Sequence, residues 1–421
     1  MNPDISAEVL VCGAGISGFA AACSAARSGA KVILAESLGT VGGAAYSNLV
    51  NPFMVPRIEG RDLVKGIFSE VISRLKDRNA CAEGSLFDQP HIVFDPEALQ
   101  SIMMEMLEES QVKLLLHSTV TASIMKDRDI KGAVVSGKSG DIRIFSSCAV
   151  DATGDGDLAF LSGCGFDKGR PSDGLCQPAT LMFRIAGIDM SKVPSREEMN
   201  ALYSKARSSG RIRTPRENFL WFETLRPDEI HVNSTRIPKI DGTSVHDLTK
   251  AEAEGRKQAA DLHSFLKGSV PGFESSYISR VAGSVGIRES RRIKGKYTLT
   301  VEDVMEGRSF DDPVAKCNYP VDIHSPDGTS TVFKKLGPGI SYEIPYRCLV
   351  PEDAGSLIIS GRAISSTHEA LSSLRIMPVC MAIGQAAGAA AALCVKKHVS
   401  PASLDFGLLR KALNEQEAGL R

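Results

Sequence analysis

The chain has 421 residues, 43% apolar and 24% charged, values ordinary for a globular protein and enough for two cores. Its 49 basic and 50 acidic side chains leave a net charge of −1, which argues against nucleic acid or an anionic membrane surface as a partner. Ten scattered cysteines, none in a Cys-x-x-Cys pair, argue against zinc, iron–sulfur or a disulfide framework and for reduced thiols in a cytosol-like compartment.

The first residues, Met1 to Ile5, lack a basic segment followed by an apolar stretch, so no export signal and a cytoplasmic location are expected. Residues 7–36 read as a βαβ unit: a strand from Glu8 to Cys12, a glycine turn, an Ala-rich helix to about Ser28 stopped by Gly29, and a strand from Lys31 to Glu36. Gly13-Ala14-Gly15-Ile16-Ser17-Gly18 falls between the first strand and the helix. There Gly13 can take the tight turn, Gly15 admits a pyrophosphate to the backbone, and Gly18 lets the helix lie close to the strand. The helix N-terminus would offer its free N–H groups to phosphate. Glu36, 18 residues beyond Gly18, can accept from both ribose hydroxyls and would repel a 2′-phosphate, which excludes NADP. These features establish a dinucleotide; they leave FAD and NAD both open.

Further along, Asp95-Pro96-Glu97 caps a helix predicted to about Glu109, followed by a strand from Val112 to Leu116. Residues 119–146 alternate as an antiparallel meander, and a strand from Cys148 to Ala152 follows. From about Gly187 the character changes. Boxes at Ser195-x-x-Glu198 and Thr249-x-x-Glu252 open two helices around strand-like stretches at 218–224 and 229–236. Thr300-x-x-Asp303 begins a helix stopped near Gly307, and strands at 341–347 and 356–360 return the chain to the first domain. The apolar run Met377 to Val395 is mostly Ala and Gly, with Gln385 inside it and Pro378 near its start, and reads as a buried helix rather than a membrane span. The predicted fold is α/β: a Rossmann-like domain of parallel sheet and antiparallel meander over 1–186 and 341–421, with an inserted mixed α+β substrate domain over 187–340.

Several motifs together resemble one family. Gly42-Gly43 after Glu36 resembles the second glycine pair of glutathione-reductase-like flavoproteins. Ala152-Thr153-Gly154 resembles their strand end against FAD, and the set continues with Gly361-Arg362, Ser366 to Ala370, Arg375 to Pro378, Gly384 to Gly388, Gly286 to Gly295 and Asp322-Ile323-His324. The chain is similar over nearly its whole length to the FAD-dependent oxidoreductase family, in the two-dinucleotide-binding-fold superfamily.

The resemblance implies FAD as cofactor. Gly13 to Gly18, Glu36 and Ser37 would hold its ADP half, and Gly42, Gly43 and Ala44 would approach the flavin side of the pyrophosphate. Val120 would meet adenine, Ala152 to Gly154 would pack on the site, and Gly361-Arg362 would lie beside the pyrophosphate and ribityl chain. Backbone N–H groups at Ile376 and Met377 would face the flavin pyrimidine, a helix N-terminus suited to the negative charge of reduced flavin. Two departures stand out: Asn48 where relatives often carry another glycine, and Arg362 where many carry Asp.

No second Gly-x-Gly-x-x-Gly sits in a βαβ setting, so no built-in nicotinamide domain is expected, and electrons would come from the substrate, a diffusible nicotinamide or a partner protein. His368, in a loop expected beside the isoalloxazine, is the candidate acid or base, and Arg375 a candidate for a substrate carboxylate or a flavin oxygen. Arg288 could line an anion pocket with Arg292, sharing one strand face, while Lys294 and Lys296 read as solvated. His324, Tyr342, Tyr346 and Arg347 are possible pocket residues, and Cys380 reads as a buried thiol. No metal site is expected. The predicted activity is hydride transfer between FAD and a small to medium organic substrate, with a homo-oligomer as one candidate assembly. The alternative is a flavin-binding subunit of an electron-relay or RNA-modifying assembly, with Arg288 to Lys296 as docking surface.

Overall fold

The computed structural model describes residues 3–86, 88–328 and 330–419. Strand Ile5–Cys12, fully buried from Val9 onward, forms the axis of a seven-stranded sheet. Val32–Ala35 and Lys113–Leu115 extend the sheet in parallel on one side, and Gly140–Asp151 pairs in parallel on the other. The predicted meander is present as Thr119–Lys126, Asp129–Gly137 and the first part of Gly140–Asp151. The strand expected separately from Cys148 is the second half of that same 12-residue strand, whose outer edge then receives Leu357–Ile359 in parallel. Both halves are apolar on the core side, so no turn separates them.

Helix α1, Ile16–Arg27, crosses the sheet, and α2, Ile67–Asp77, with α3, Pro96–Glu109, packs beside it. Asp95 caps α3 by accepting from Glu97 N at 2.8 Å and Ala98 N at 3.1 Å. A short α4, Asp157–Leu161, follows the long strand. Helix α5, Arg196–Ser208, opens with the expected Ser195 and Glu198 box. Helix α6 begins earlier than expected, at Val245, and runs to Ser269. Ser244 caps it by accepting from Asp247 N, while the Asp247 carboxylate accepts from Asp241 N, and Thr249 lies within the helix with its Oγ1 donating to Val245 O. Helix α7, Val301–Glu306, has the predicted Thr300 box and a left-handed Gly307 at its end.

Helix α8, His368–Leu374, leads into α9, Met377–Lys397, which is long and apolar enough to cross a membrane by length and composition but has 83% of its apolar window buried in the protein. Small residues let α9 lie directly on α1. A Cβ at Gly384 would stand 2.1 Å from Ser17 O, and one at Gly388 2.0 Å from Ala21 O, so the two backbones touch where any larger residue would separate them.

The main core joins the sheet, α1, α3 and α9 with Ile293, Leu299, Val314, Cys317, Val321 and Ile344. A second core gathers Phe183, Ile185, Tyr203, Phe219, Trp221, Leu262 and Phe265 around α5, α6 and the sheet of Phe183–Ala186, Trp221–Glu223, Ile230–Val232 and Tyr277–Val281. The stretch 187–340 thus divides between two cores, its later part packing with the main sheet. Strand Tyr342–Pro345 pairs with Pro313–Cys317 rather than joining the main sheet. A small third cluster, including Leu49, Leu181, Met182, Ile237 and Val285, lies where Leu49 from the glycine-rich side meets the second unit.

Candidate functional site

A cleft of about 440 Å³ opens beyond the carboxyl ends of the parallel strands, the place where open α/β sheets bind ligands. Its near half is built from backbone. Gly13 has φ 96°, and a Cβ there would lie 2.5 Å from Ala152 O. At Gly18 a Cβ would lie 1.7 Å from Gly13 O, so α1 can start flush against the strand only with glycine. Gly42 N donates to Ala14 O at 2.8 Å, and a Cβ at Gly43 would come within 2.8 Å of Gly15 Cα. The two glycine segments lie against each other and form a shallow cradle. Gly15 caps α1 without a side-chain hydrogen bond, leaving the first-turn amides of Ile16 and Ser17 at the lining.

Glu36 sits at one end of this half. Its carboxylate accepts from Ala14 N at 2.6 Å, Leu38 N at 2.8 Å and Ser37 Oγ at 3.0 Å, which leaves room for about one further donor. The turn Ala152-Thr153-Gly154 is fixed from beneath by the buried Asp151, which accepts from Thr153 N, Thr153 Oγ1 and Ala159 N. Burial pushes the Asp151 carboxyl up, against the pull of those donors. After Leu357–Ile359, Ser360 Oγ hydrogen-bonds Ser17 Oγ, and Gly361 turns with φ 76°. Arg362 Nη2 donates to Asp155 Oδ1 at 2.6 Å, and Asp155 also accepts from Ser290 Oγ, so the cation expected here is offset by a carboxylate. Arg362 Nε remains buried without a partner.

The far half is built from side chains of scattered segments. Asn48, Val50, Pro52 and Met54 continue from the glycine cradle, and Thr180, Met182, Asn233, Asp322 and His324 complete the lining with Arg288 and Arg375. Asn48 Nδ2 donates to Ser284 O, Ser284 Oγ and Val285 O, tying the loop after Gly43 to the segment before Arg288. Ile376, Met377 and Cys380 line the boundary between the halves. Ile376 caps α9 with no side-chain hydrogen bond, so a second uncapped helix start meets the cleft.

The model of the FAD dependent oxidoreductase family matches residues 8–413. The chain belongs to that family. FAD is the cofactor of this flavoprotein. No curated protein matches it in sequence. Among solved structures, a geranylgeranyl bacteriochlorophyll reductase-like protein from Thermoplasma acidophilum is similar with a TM-score of 0.50 and 12% identity, covering 98% of this chain and 83% of that one. p-Nitrophenol 4-monooxygenase from Pseudomonas putida is 12% identical with a TM-score of 0.48, covering 97% of this chain and 84% of that one. The first likeness shows a shared fold.

The flavoprotein's near half fits a dinucleotide by its own chemistry. The glycine cradle would be filled by any Cβ, two uncapped helix starts adjoin it, and the orphaned Arg362 Nε is a donor without an acceptor. Of the residues expected to hold FAD, Gly13, Gly15, Ile16, Ser17, Glu36, Ser37, Gly43, Ala44, Ala152, Thr153, Gly154, Gly361, Arg362, Ile376 and Met377 all line the cleft. Ala14, Gly18 and Gly42 support it from behind. Val120 is half-buried on its strand and outside the lining; the backbone that meets the Glu36 loop comes earlier, with Ser118 N on Glu36 O and His117 N on Leu38 O.

The candidates for chemistry divide. Arg288 and Arg375 reach the cleft. His368 does not: it opens α8 with its ring turned into the interior, where Nδ1 lies 2.8 Å from Glu289 Oε2, and it is 3% exposed. The expectation that it faces the reacting end is corrected, because Glu289, itself ion-paired with the buried Arg292, draws the imidazole inward. Arg292 is thereby also removed from the anion pocket, and Arg291 pairs with Asp157. Lys294 and Lys296 are exposed. Tyr342 and Tyr346 are core residues, and Arg347 pairs with Asp312. Burial pushes the Cys380 thiol up to about 12, which leaves it an unreactive thiol at neutral pH.

The cleft's histidine is His324. Arg236 Nη2 lies 3.3 Å from His324 Nδ1 and has only donors to offer, so the imidazole accepts there and carries its proton on Nε2, 3.6 Å from Asp322 Oδ2. Burial, reinforced by Arg288, lowers His324 to about 3, so the ring is neutral and its approach to Asp322 is not an ion pair at neutral pH. Burial alone would raise Asp322, but His324, Arg375 and Arg288 outweigh it and hold the carboxyl well below its usual range. Strand Val321–His324 carries Asp322 and His324 two residues apart, so alternation alone put both on one face; that signal was available in the sequence. Thr180, Asn233 and Ser360 carried no such signal.

Proposed function

We propose that this flavoprotein moves a hydride between FAD and a small to medium organic substrate seated in the far half of the cleft. It would belong among the glutathione-reductase-like two-dinucleotide-binding folds and lack a nicotinamide domain of its own. The observation that carries this reading is the continuity of the cleft. A glycine cradle suited to a dinucleotide runs without a break into a chamber lined by Thr180, Met182, Asn233, Asp322 and His324. Bound FAD supplies the two-electron chemistry, so that in the oxidative direction the substrate gives up a hydride and a proton.

The chain's own residues do the rest. Glu36 would take a ribose hydroxyl, the first turn of α1 would hold the pyrophosphate with Arg362 beside it, and the uncapped start of α9 at Ile376 and Met377 would offer a positive helix end to the reduced flavin. Asp322, kept ionised, accepts a substrate hydrogen bond, and the neutral His324 holds it in place. Electrons reach or leave the site through a second small molecule or an external partner protein, and the working state may be tested as a homo-oligomer by light scattering.

Purified protein should be yellow and release FAD on denaturation. Anaerobic screening with metabolites should find compounds that bleach the bound flavin. A colourless protein that cannot be reconstituted with FAD would overturn the reading, as would a flavin that no organic small molecule reduces or, once reduced, reoxidises.

A further inference from the structure

We propose that Arg288 and Arg375 form a carboxylate-binding subsite, and that the substrate is an organic carboxylate with an apolar body. The inference rests on the reading of the far half as the substrate chamber.

Both side chains line the same chamber. Arg288 Nη1 donates to Pro178 O at 2.7 Å and to Thr180 Oγ1 at 2.5 Å, and Arg375 Nη2 donates to Asp322 O at 3.3 Å, all neutral oxygens. Among the described residues, neither guanidinium has a carboxylate within the 4.0 Å of an ion pair. Arg375 Nη1 is buried with no partner at all. Five other inward-facing arginines are matched to a carboxylate: Arg184, Arg236, Arg291, Arg292 and Arg362, on Glu229, Glu217, Asp157, Glu289 and Asp155. Arg216, behind the same wall, shares the lack of one: its Nε donates to Asn218 Oδ1 and its Nη1 is buried without a partner. Desolvated cations are retained in a folded chain when something compensates them, and here one carboxylate, Asp322, is shared between two guanidiniums without a direct ion pair to either.

The charges give the sign. At the wall, Arg288 and Arg375 against Asp322 sum to +1, and behind it Arg216 and Arg236 against Glu217 add another +1. Burial first, then repulsion from Arg375, Arg216 and Arg236, presses the Arg288 guanidinium below its ordinary value, the mark of a cation among like charges. An anion entering this place relieves that repulsion. The same chamber has an apolar lining from Val50, Pro52, Met54, Met182 and Ile287. A planar carboxylate on a carbon skeleton satisfies both kinds of lining, the guanidiniums taking the oxygens and the apolar side chains the skeleton.

The test titrates the FAD-loaded full chain with benzoate, benzamide and inorganic phosphate, following the visible difference spectrum of the flavin and the thermal midpoint. Benzoate is expected to give a saturable change, with benzamide and phosphate at least tenfold weaker. Arg288→Met and Arg375→Met should each weaken benzoate at least tenfold at unchanged FAD content, with part of the loss recovered in Arg288→Lys and Arg375→Lys. Benzamide equal to benzoate, phosphate equal to benzoate, no saturable benzoate signal, or Met variants with unaltered affinity would each overturn the subsite. The benzoate and benzamide contrast is made on the unmutated protein, so it stands even where a variant fails to fold. A protein that holds FAD and is bleached by metabolites but shows no benzoate preference loses only this subsite; one that holds no FAD loses the function reading as well.

Discussion

The two halves of the cleft are made by opposite means. The near half is backbone: four short glycine segments and two helix starts, each contiguous in sequence, with the shape set by what a Cβ would hit. The far half is side chains drawn from separate segments, and its shape depends on buried polar networks that hold those segments in place. Gln177 shows the dependence. Its N–H donates to Glu289 and its Oε1 accepts from His324 N, so the Glu289, Arg292 and His368 cluster fixes the chamber wall from behind. A backbone cradle tolerates surface change but not added volume; a side-chain chamber tolerates volume more readily than the loss of a buried partner.

The largest effect that would break this contrast is expected at Glu289, whose side chain is fully buried. Glu289→Ala leaves Arg292 and His368 without their partner and should cost about 3–5 kcal/mol in urea unfolding. A loss below about 1 kcal/mol would show that the far half does not depend on this cluster. Next comes Gly384→Val, which forces α9 away from Ser17 O and should cost about 1–3 kcal/mol or more, with weaker FAD retention because Ser17 belongs to the first turn of α1. FAD retention equal to the parent would show that the cradle does not need the close crossing.

Acid should act on the far side. His324 and His231 both have folded values lowered to about 3 by burial, against about 6.5 unfolded. Their neutral forms contribute stability that is full above pH 6.5 and is lost as pH falls from there toward 3, because the unfolded chain takes up protons that the folded one refuses. Each group contributes a slope of up to about 1.4 kcal/mol per pH unit, and His324→Gln should flatten the measured dependence between pH 6.5 and 5. An unchanged slope would place the acid sensitivity elsewhere. The smallest effect is expected for Asn48→Ala, which removes the side-chain part of the tie between the loop after Gly43 and residues 284–285, leaving Gly283 N and Ser284 N on Ser47 O, and should cost about 1 kcal/mol in thermal or urea unfolding.

The same contrast explains how much could be read in advance. Gly13 to Gly18 and Glu36 act through neighbours a few residues away, so spacing alone announced them, and the resemblance of Gly42-Gly43, Ala152 to Gly154 and Gly361 added the rest of the cradle. The far half depends on pairings that no local pattern records. His368 was expected to face the flavin from its place before α9, yet a partner 79 positions away decides its orientation. Arg288 and Arg292 looked equivalent on an alternating strand, but Arg288 lies outside Arg291–Ile293 and only it reaches the cleft. Asn48, read as a missing glycine, helps join the two halves, beside the backbone bonds of Gly283 and Ser284 to Ser47 O. Helix α6 was placed late because two capping starts compete, and the earlier one at Ser244 extends the helix by a turn.

The most direct test of the division of labour is the FAD dissociation constant, measured by flavin fluorescence for the parent, Glu36→Gln and Arg288→Met side by side. A near half that holds the cofactor and a far half that holds the substrate predict at least a tenfold weaker constant for Glu36→Gln and a change of less than about threefold for Arg288→Met, the former being the loss of a charged hydrogen-bonding group worth about 1.5–3 kcal/mol. The reverse pattern, with Arg288 governing FAD and Glu36 indifferent to it, would contradict the account.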